Sequence, residues 1–241
     1  LELGKADLVE LAPEQTHRVS QSGRRVASST PVELLALVFT RDMASAEEKL
    51  LRQALALSLD RASMRSVLLQ STGQPAASIL PNWMSGYGFV FPIAADLTHA
   101  RQASAQVQHI PTWSLGYDGT DPLARLLAER VALNAKDAGL ALQPTAATNT
   151  ELRLMRVPLA SPDPWVALAD FAVTTGLPVG KTQSSVEDLY AAEAASLATQ
   201  RVIPLFHLPV SYASALSLRD WLLRPDGSWC VADAWLASVT P

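Results

Sequence analysis

Between Thr112 and Thr145 the chain carries a strand, a helix and a second strand in an order that admits few folds. Thr112 to Tyr117 has the composition of a strand, and Asp121-Pro122 is an N-cap with proline in the first turn. Leu123 to Ala138 then places Ala124, Leu127, Val131, Ala135 and Ala138 on one stripe of a helix. Gly139 supplies a left-handed cap, and Leu140 to Thr145 resumes as a strand. Two strands joined through a helix lie parallel, and such crossovers are right-handed almost without exception. A parallel pair needs cover on both faces, so the rest of the chain must supply helices on each side.

It has the material. Val32 to Phe39 is nearly continuous in apolar residues, as a strand covered on both faces would be. Ser45 and Glu48 form a capping box, with the carboxylate reaching back to the cap amide, and Leu50 to Leu69 is rich in Ala and Leu, with Asp60 and Ser63 able to cap a second segment if the helix breaks. Gly73 to Pro92 is an ordered connector carrying Trp83, Tyr87 and Phe89, and Asp96 to Gln108 returns to helical composition. Glu151 to Leu159 is a further strand, and a helix opens at Pro164 and runs toward Thr174. Val179 to Ser184 is a polar loop, Ser185 to Gln200 a surface helix, and Val202 to Leu208 a strongly apolar strand. Pro225-Asp226-Gly227 signals a hairpin between Trp221-Leu222-Leu223 and Trp229-Cys230-Val231. At the other end, Lys5 to Val19 has helical spacing interrupted by Pro13, which opens a second short helix. The sum is an α/β lobe around one mixed sheet flanked by helices.

Several function classes are excluded or disfavoured. A net charge of −4, with no basic run beyond Arg24-Arg25, argues against a nucleic-acid partner. The single cysteine, Cys230, forbids an internal disulfide and a Cys-rich zinc site, and His17, His99, His109 and His207 lack metal-ligand spacing. No stretch approaches the roughly 20 apolar residues that span a bilayer. There is no nucleophile elbow, phosphate loop or dinucleotide fingerprint, so neither a cofactor nor a catalytic residue is assigned. Cys230 on its hairpin strand is read as buried, and His207, in an apolar strand, as a core histidine rather than a base. Leu1 to Lys5 has no basic or apolar signal region and begins without methionine, which suggests a processed or excised piece.

Arg52 to Arg61, with Arg-Gln-Ala at its start and Asp-Arg at its end, and Pro81-Asn82-Trp83-Met84-Ser85-Gly86-Tyr87-Gly88 about twenty residues later resemble a segment in the lid lobe of bacterial extracellular solute-binding proteins of family 5, the peptide- and nickel-binding components of ABC transporters. Leu3-Gly4-Lys5-Ala6-Asp7 is similar to the stretch leading out of the first lobe of that family. Leu126 to Leu142 is similar to its helix-Gly-strand unit, and Val202 to Leu208 to its late strand. The resemblance implies one lobe of a two-lobed, type II-like periplasmic binding protein: residues 1–30 leading from a missing first lobe and 31–241 forming the α/β lid. It implies a non-enzymatic role, capture of a small solute or peptide outside the cytoplasm and its delivery to a membrane ABC permease. Two alternatives stand beside it. One is the ligand-sensing module of a bacterial regulator; the other is an α/β enzyme using His207 or Asp163.

In peptide-binding members an aspartate of the lid pairs with the ligand's amino group three residues ahead of a proline. Here that position is Ser161, in Ser161-Pro162-Asp163-Pro164, and serine offers an ammonium group no charge. Asp163 is the acid available to take its place, or else both residues cap the following helix. Trp165 beside them is either a packed helix residue or a ligand platform. Trp83 and Tyr87 either form an aromatic ligand wall or staple the connector to the core. The Arg52 to Arg61 segment itself is read as buried scaffold with exposed Arg and Asp edges.

Overall fold

The computed structural model describes residues 5–88, 91, 93–159, 161–178 and 185–238. A seven-stranded sheet organises them. In chain order its parts are β1 (Leu8–Leu11), α1 (Thr16–Gln21), β2 (Arg25–Phe39), α2 (Ala46–Ser58), α3 (Arg61–Val67), β3 (Gln74–Pro75), α4 (Asn82–Ser85) and α5 (Leu97–Ser104). There follow β4 (Thr112–Gly116), α6 (Pro122–Asp137), β5 (Ala141–Thr145), β6 (Leu152–Pro158), α7 (Pro164–Thr175), α8 (Val186–Ala198) and β7 (Val202–Ser214). Two small strand pairs close the series: β8 (Leu218–Arg219) with β11 (Trp235–Leu236), and β9 (Leu222–Leu223) with β10 (Trp229–Cys230).

The sheet order is β1-β7-β2-β6-β4-β5, with β3 also on β7. β4 runs parallel to both β5 and β6, whereas β2 is antiparallel to β6 and β7. The sheet is therefore mixed, as its sequence implied, and the crossover through α6 is its parallel part. Along β2 alternate side chains enter opposite layers, because successive residues of a strand point to opposite faces. Leu35, Leu37 and Phe39 join α2 and α6 residues such as Leu55, Leu127 and Val131, while Leu34, Ala36 and Val38 join Phe171 of α7 and Leu189 of α8. That explains the unbroken apolar run.

Helix termini follow their caps. Asp60 accepts from the Ser63 amide at 3.0 Å and separates α3 from α2, Asp121 caps α6, and Gly139 takes φ +80° behind it. At α2 the Ser45 hydroxyl accepts from Glu48 N–H at 3.1 Å, but the Glu48 carboxylate takes the Ala44 amide, one residue before the cap. The remaining Glu48 capacity goes to Arg41 and Arg52.

Four expectations need correction. Lys5 to Val19 is not helical at its start: Leu8–Leu11 pairs with Ser211–Ser214 along the sheet edge, and this tertiary pairing overrides local spacing. Pro13 does begin a short 3-10 turn ahead of α1. The helix from Ser185 is more than a surface element, since Glu193 on it has no exposed area. The arginines of the Arg52 to Arg61 segment are not exposed edges either, at 0% and 1% exposure. Arg52 pairs with Glu48 at 2.6 Å and lies 3.9 Å over the Phe39 ring, and Arg61 donates from Nε and Nη2 to the Pro204 carbonyl at 3.0 and 2.9 Å. Cys230, expected to be buried, is only half-buried, because its two-residue strand lies between the exposed Trp229 and Val231 with no core over it. The readings made for Leu1 to Gly4, Phe89 and Val179 to Ser184 fall outside the described residues.

Candidate functional site

In open α/β sheets a ligand crevice forms beyond the carboxyl ends of the parallel strands, where the chain leaves the sheet in diverging directions. Here β4 and β5 stop at Gly116 and Thr145 while β6 continues beside them toward Pro158. A cleft of about 540 Å³ opens over that step, bounded by Tyr117, Asp118 and Gly119 after β4, Ala146 to Thr148 after β5, and Arg153 and Arg156 of β6. Its floor includes Leu35 and Leu208.

The loops around it are built closely. Asp118 accepts from the Thr120 amide at 2.9 Å and from its hydroxyl at 2.7 Å, folding the turn before α6 and holding the Asp118 carboxyl below the usual carboxylate range. Thr150 donates to the Leu152 carbonyl at 3.0 Å, and a Cβ on Gly116 would sit 2.6 Å from the Thr150 hydroxyl. Only glycine admits that approach without movement. Arg156 pairs with Glu33 of β2 through Nε at 2.6 Å and Nη2 at 2.5 Å. Burial pushes the Glu33 carboxyl up against the opposing pull of Arg156.

None of the residues nominated from sequence lines this cleft: Tyr87 and Trp165 pack in the layer on the opposite face of the sheet, and most of the nominated polar atoms have protein partners. Trp83, on α4 and 42% exposed, donates from Nε1 to the Pro31 carbonyl of β2 at 2.7 Å. One residue further along β2, the Val32 carbonyl accepts from Leu159 N–H at 2.7 Å and so anchors the start of the Ser161 to Trp165 turn. Ser161 Oγ accepts from the Asp163 amide at 3.1 Å. Asp163 caps α7, accepting from the amides of Trp165 at 2.8 Å and Val166 at 3.2 Å. Trp165 packs on the core layer beneath α7 and borders a second cleft of about 310 Å³ between α7 and α8. Tyr87 reaches the same layer and directs its hydroxyl inward to Glu193.

That carboxylate is the group sequence reasoning missed. Glu193 accepts from the amides of Ile79 and Leu80 and from the Tyr87 hydroxyl. Burial pushes its pKa up, with the three donors pulling the other way, and both burial and the adjacent carboxylate push the Tyr87 phenol up. On the far side of the same peptide, His207 Nε2–H donates to the Ile79 carbonyl at 3.0 Å. The connector is thus clamped at Ile79 from both a helix and a strand. Burial draws the His207 pKa down to about 4. It is a neutral core histidine rather than a base, while the exposed Asp163 uses Oδ1 to cap α7. One acid among small residues on a helix carries no distinguishing sequence signal. The cleft was also missed, although the Tyr117 to Asp121 turn, which ends the parallel unit where such sheets bind ligands, is a signal that could have found it. Among the described residues no His, Cys, Asp and Glu cluster could hold a metal, and no helix is long and apolar enough to cross a membrane.

The architecture is thus a mixed sheet with helices on both faces and a cleft at its strand ends. No family model and no curated protein sequence matches the chain. Solved structures do match it. The pheromone receptor PrgZ, described with its mode of peptide binding, aligns over 98% of this chain and 55% of its own length, with a TM-score of 0.79 and 14% identity. A dipeptide-binding protein from Pseudoalteromonas sp. SM9913, solved with Met-Leu, aligns over 98% of this chain and 55% of its own, at a TM-score of 0.76 and 16% identity. NikA from Staphylococcus aureus, solved with Ni(L-His)2, aligns over 94% and 56%, at 0.75 and 14%. The family 5 resemblance seen in the sequence is matched by the fold, and at these identities the likeness is one of fold. The chain spans little more than half the length of the structures it matches.

Proposed function

We propose that the chain is the lid lobe of the substrate-binding component of an ABC importer, which captures a small solute, a short peptide foremost, in the periplasm or outside the cell. Residues 1–30 would lead from a first lobe and 31–241 would form the lid, with β2 running through the junction between them. The partners of this reading are the solute, the first lobe and a membrane ABC permease, and the role is binding, not catalysis. The observation that carries it is fold agreement over almost the whole chain with substrate-binding proteins of two ligand classes, peptides and chelated nickel.

The cleft supports the same reading. Its two arginines, tyrosine and two aspartates offer charged and hydrogen-bonding groups above an apolar floor, the make-up of a small-molecule site. A lone lobe supplies one wall, and burial of the solute needs the other. Trp83, Ser161, Asp163 and Trp165 lie outside the lining of that cleft and would meet the solute only where it extends toward α4 and α7, with Tyr87 supporting that border from beneath.

The test is a thermal-shift and calorimetric screen of the full-length native protein with peptides, nickel chelates and sugars. A ligand that binds only the folded state raises the midpoint in proportion to the logarithm of its concentration. At least one class should do so, with much weaker binding by residues 1–241 alone. Failure of all three classes would refute the transport reading.

A further inference from the structure

The two carboxylate oxygens of Glu193 hold two separate points of the connector. Oε1 accepts from the amides of Ile79 and Leu80, and Oε2 accepts from the Tyr87 hydroxyl. Residues 81–86 between them form an arch, closed at both feet by one side chain with no exposed area. Each foot has a second hold. The Ile79 carbonyl takes the His207 ring N–H at 3.0 Å, and the Tyr87 ring meets that of Tyr190 edge-on at 5.2 Å. Within the arch Ser85 Oγ donates to the Tyr87 carbonyl at 3.0 Å, and Gly86 turns the chain at φ +77°. The crown is α4, from which Trp83 reaches out to the Pro31 carbonyl at 2.7 Å.

Pro31 lies at an interrupted step of the sheet. β2 advances five residues from Ser28 to Glu33 while β7 advances three from Ser211 to Leu208, with Pro31 opposite Pro209 between them. The surplus residues make bulges, and neither proline has an amide to give the ladder. β6 pairs with β2 only from Glu33 onward, and β1 and β3 pair with β7 only at 211–214 and 206–207. Among the described strands the sheet is therefore two strands wide at residues 29–32. Tertiary contacts take up its backbone groups there: Thr30 N–H goes to the Pro225 carbonyl at 3.0 Å, the Pro31 carbonyl to Trp83, and the Val32 carbonyl to Leu159 N–H at 2.7 Å.

We propose that Glu193 is a positioning residue for this step: by closing the arch it sets the Trp83 indole against Pro31, and so fixes the direction in which β2 passes from residues 33–39 to residues 25–28. Of the three tertiary partners, Trp83 alone acts through its side chain. A side chain on a single helical turn keeps its aim only if that turn is held from outside, because so short a helix is unstable by itself. Without the carboxylate, two buried amides and a hydroxyl lose their acceptor, and the arch must shift to find another. The brace stands on contacts within this chain. Its consequence, that the lid is held at a set angle to a first lobe, rests on the function proposed above.

Hydrogen exchange of the full-length native protein, read by mass spectrometry on peptides covering 27–33, 78–88 and, as a control in the other layer, α6, tests this. Glu193→Ala should speed exchange at least tenfold in 78–88 and at least threefold in 27–33 with α6 unchanged, whereas Glu193→Gln should keep both near wild-type rates. Trp83→Phe should speed 27–33 at least threefold and leave 78–88 as it is. Tyr87→Phe, which keeps the ring contact with Tyr190, should speed both by less than Glu193→Ala. Unchanged exchange at 27–33 in Trp83→Phe would overturn the proposal, as would a Glu193→Ala protein in which all three peptides speed up alike. Should Glu193→Ala not fold, Tyr87→Phe and Trp83→Phe decide by the same criterion at 27–33. A screen in which no solute binds would remove the proposed function and leave the brace to be judged by these rates alone.

Discussion

Replacing Glu193 separates the two effects that meet at its carboxylate. Glu193→Ala strips the acceptor from the Ile79 and Leu80 amides and the Tyr87 hydroxyl, all in a region where Glu193 itself has no exposed area. Each orphaned buried donor costs about 1–3 kcal/mol, so the loss should be about 3–6 kcal/mol, allowing for partial relaxation. Glu193→Gln keeps an oxygen for the two amides and turns an amide group toward Tyr87, whose oxygen can then accept. It also removes a buried charge. Its cost should therefore be below about 1.5 kcal/mol, with Tyr87→Phe between the two variants. The sign with pH follows from linkage. The folded pKa is raised above the ordinary 4.5, so between 4.5 and the folded value the native state binds more protons than the unfolded state. This contribution is fully present below pH 4.5 and is lost as pH rises through the folded pKa. Urea denaturation followed by tryptophan fluorescence from pH 4.5 to 8 measures it, and subtracting Glu193→Gln from wild type isolates it from carboxylates of opposite sign such as Glu48 and Asp60, whose pKa values are lowered. A Gln variant as damaged as the Ala variant, or a difference curve that rises with pH, would refute the reasoning.

His207 should show an imidazole midpoint near pH 4 by NMR, and because the folded value lies below 6.5, its contribution of about 3 kcal/mol should disappear as pH falls from 6.5 to 4. A midpoint above 6 would mean the ring is not buried against Ile79. Arg61→Ala should lower the unfolding free energy in urea by about 3–5 kcal/mol, since it removes a large buried side chain and leaves the Pro204 carbonyl without its two donors; a loss under 1 kcal/mol would contradict this burial. Asp163→Ala should cost about 1 kcal/mol as the loss of a helix cap, while Asp163→Ser should recover most of it. In the full-length native protein, solute affinity measured by calorimetry should survive Asp163→Ser if capping is the main role, and fall at least tenfold if the carboxylate meets the ligand.

Where local chemistry and tertiary context agreed, the sequence was enough. The α6 crossover was legible because the Asp121 cap, Pro122, one apolar stripe and Gly139 all act within a few residues of one another. The burial of β2 on both faces was legible because alternation vanishes when both faces meet a core. β1 was not, since Leu8–Leu11 becomes a strand only by pairing with residues two hundred positions away. The cleft was not read from the sequence, which pointed instead to the connector aromatics and the Ser161 to Trp165 turn; the meeting of Arg156 with Glu33 spans 123 positions and leaves no trace in either neighbourhood. Aromatic side chains in the connector drew attention to Trp83 and Tyr87, whereas the residue that fixes Tyr87 stands 106 positions on.

The Arg52 to Arg61 segment shows why a family flag need not mark a site. A guanidinium buried at 0% exposure is costly to desolvate, and Arg52 offsets this with Glu48, the Arg41 and Gln200 carbonyls and the face of Phe39. Arg61 has no carboxylate among its hydrogen-bond partners: it depends on the Pro204 and Ile93 carbonyls, and burial draws its pKa down to about 10, still far above neutrality. Each side chain therefore ties a helix to strand-forming or loop backbone at a geometry that another residue would not reproduce. Lysine lacks the planar fork, and an apolar substitute would leave the carbonyls unpaired. Constraint of that kind acts on the scaffold irrespective of the solute. Under the proposed function Ser161, which the sequence resemblance sets where peptide-binding members carry an aspartate, would meet an ammonium group without a charge to offer it, which directs the search for a solute toward ligands that do not depend on that ion pair.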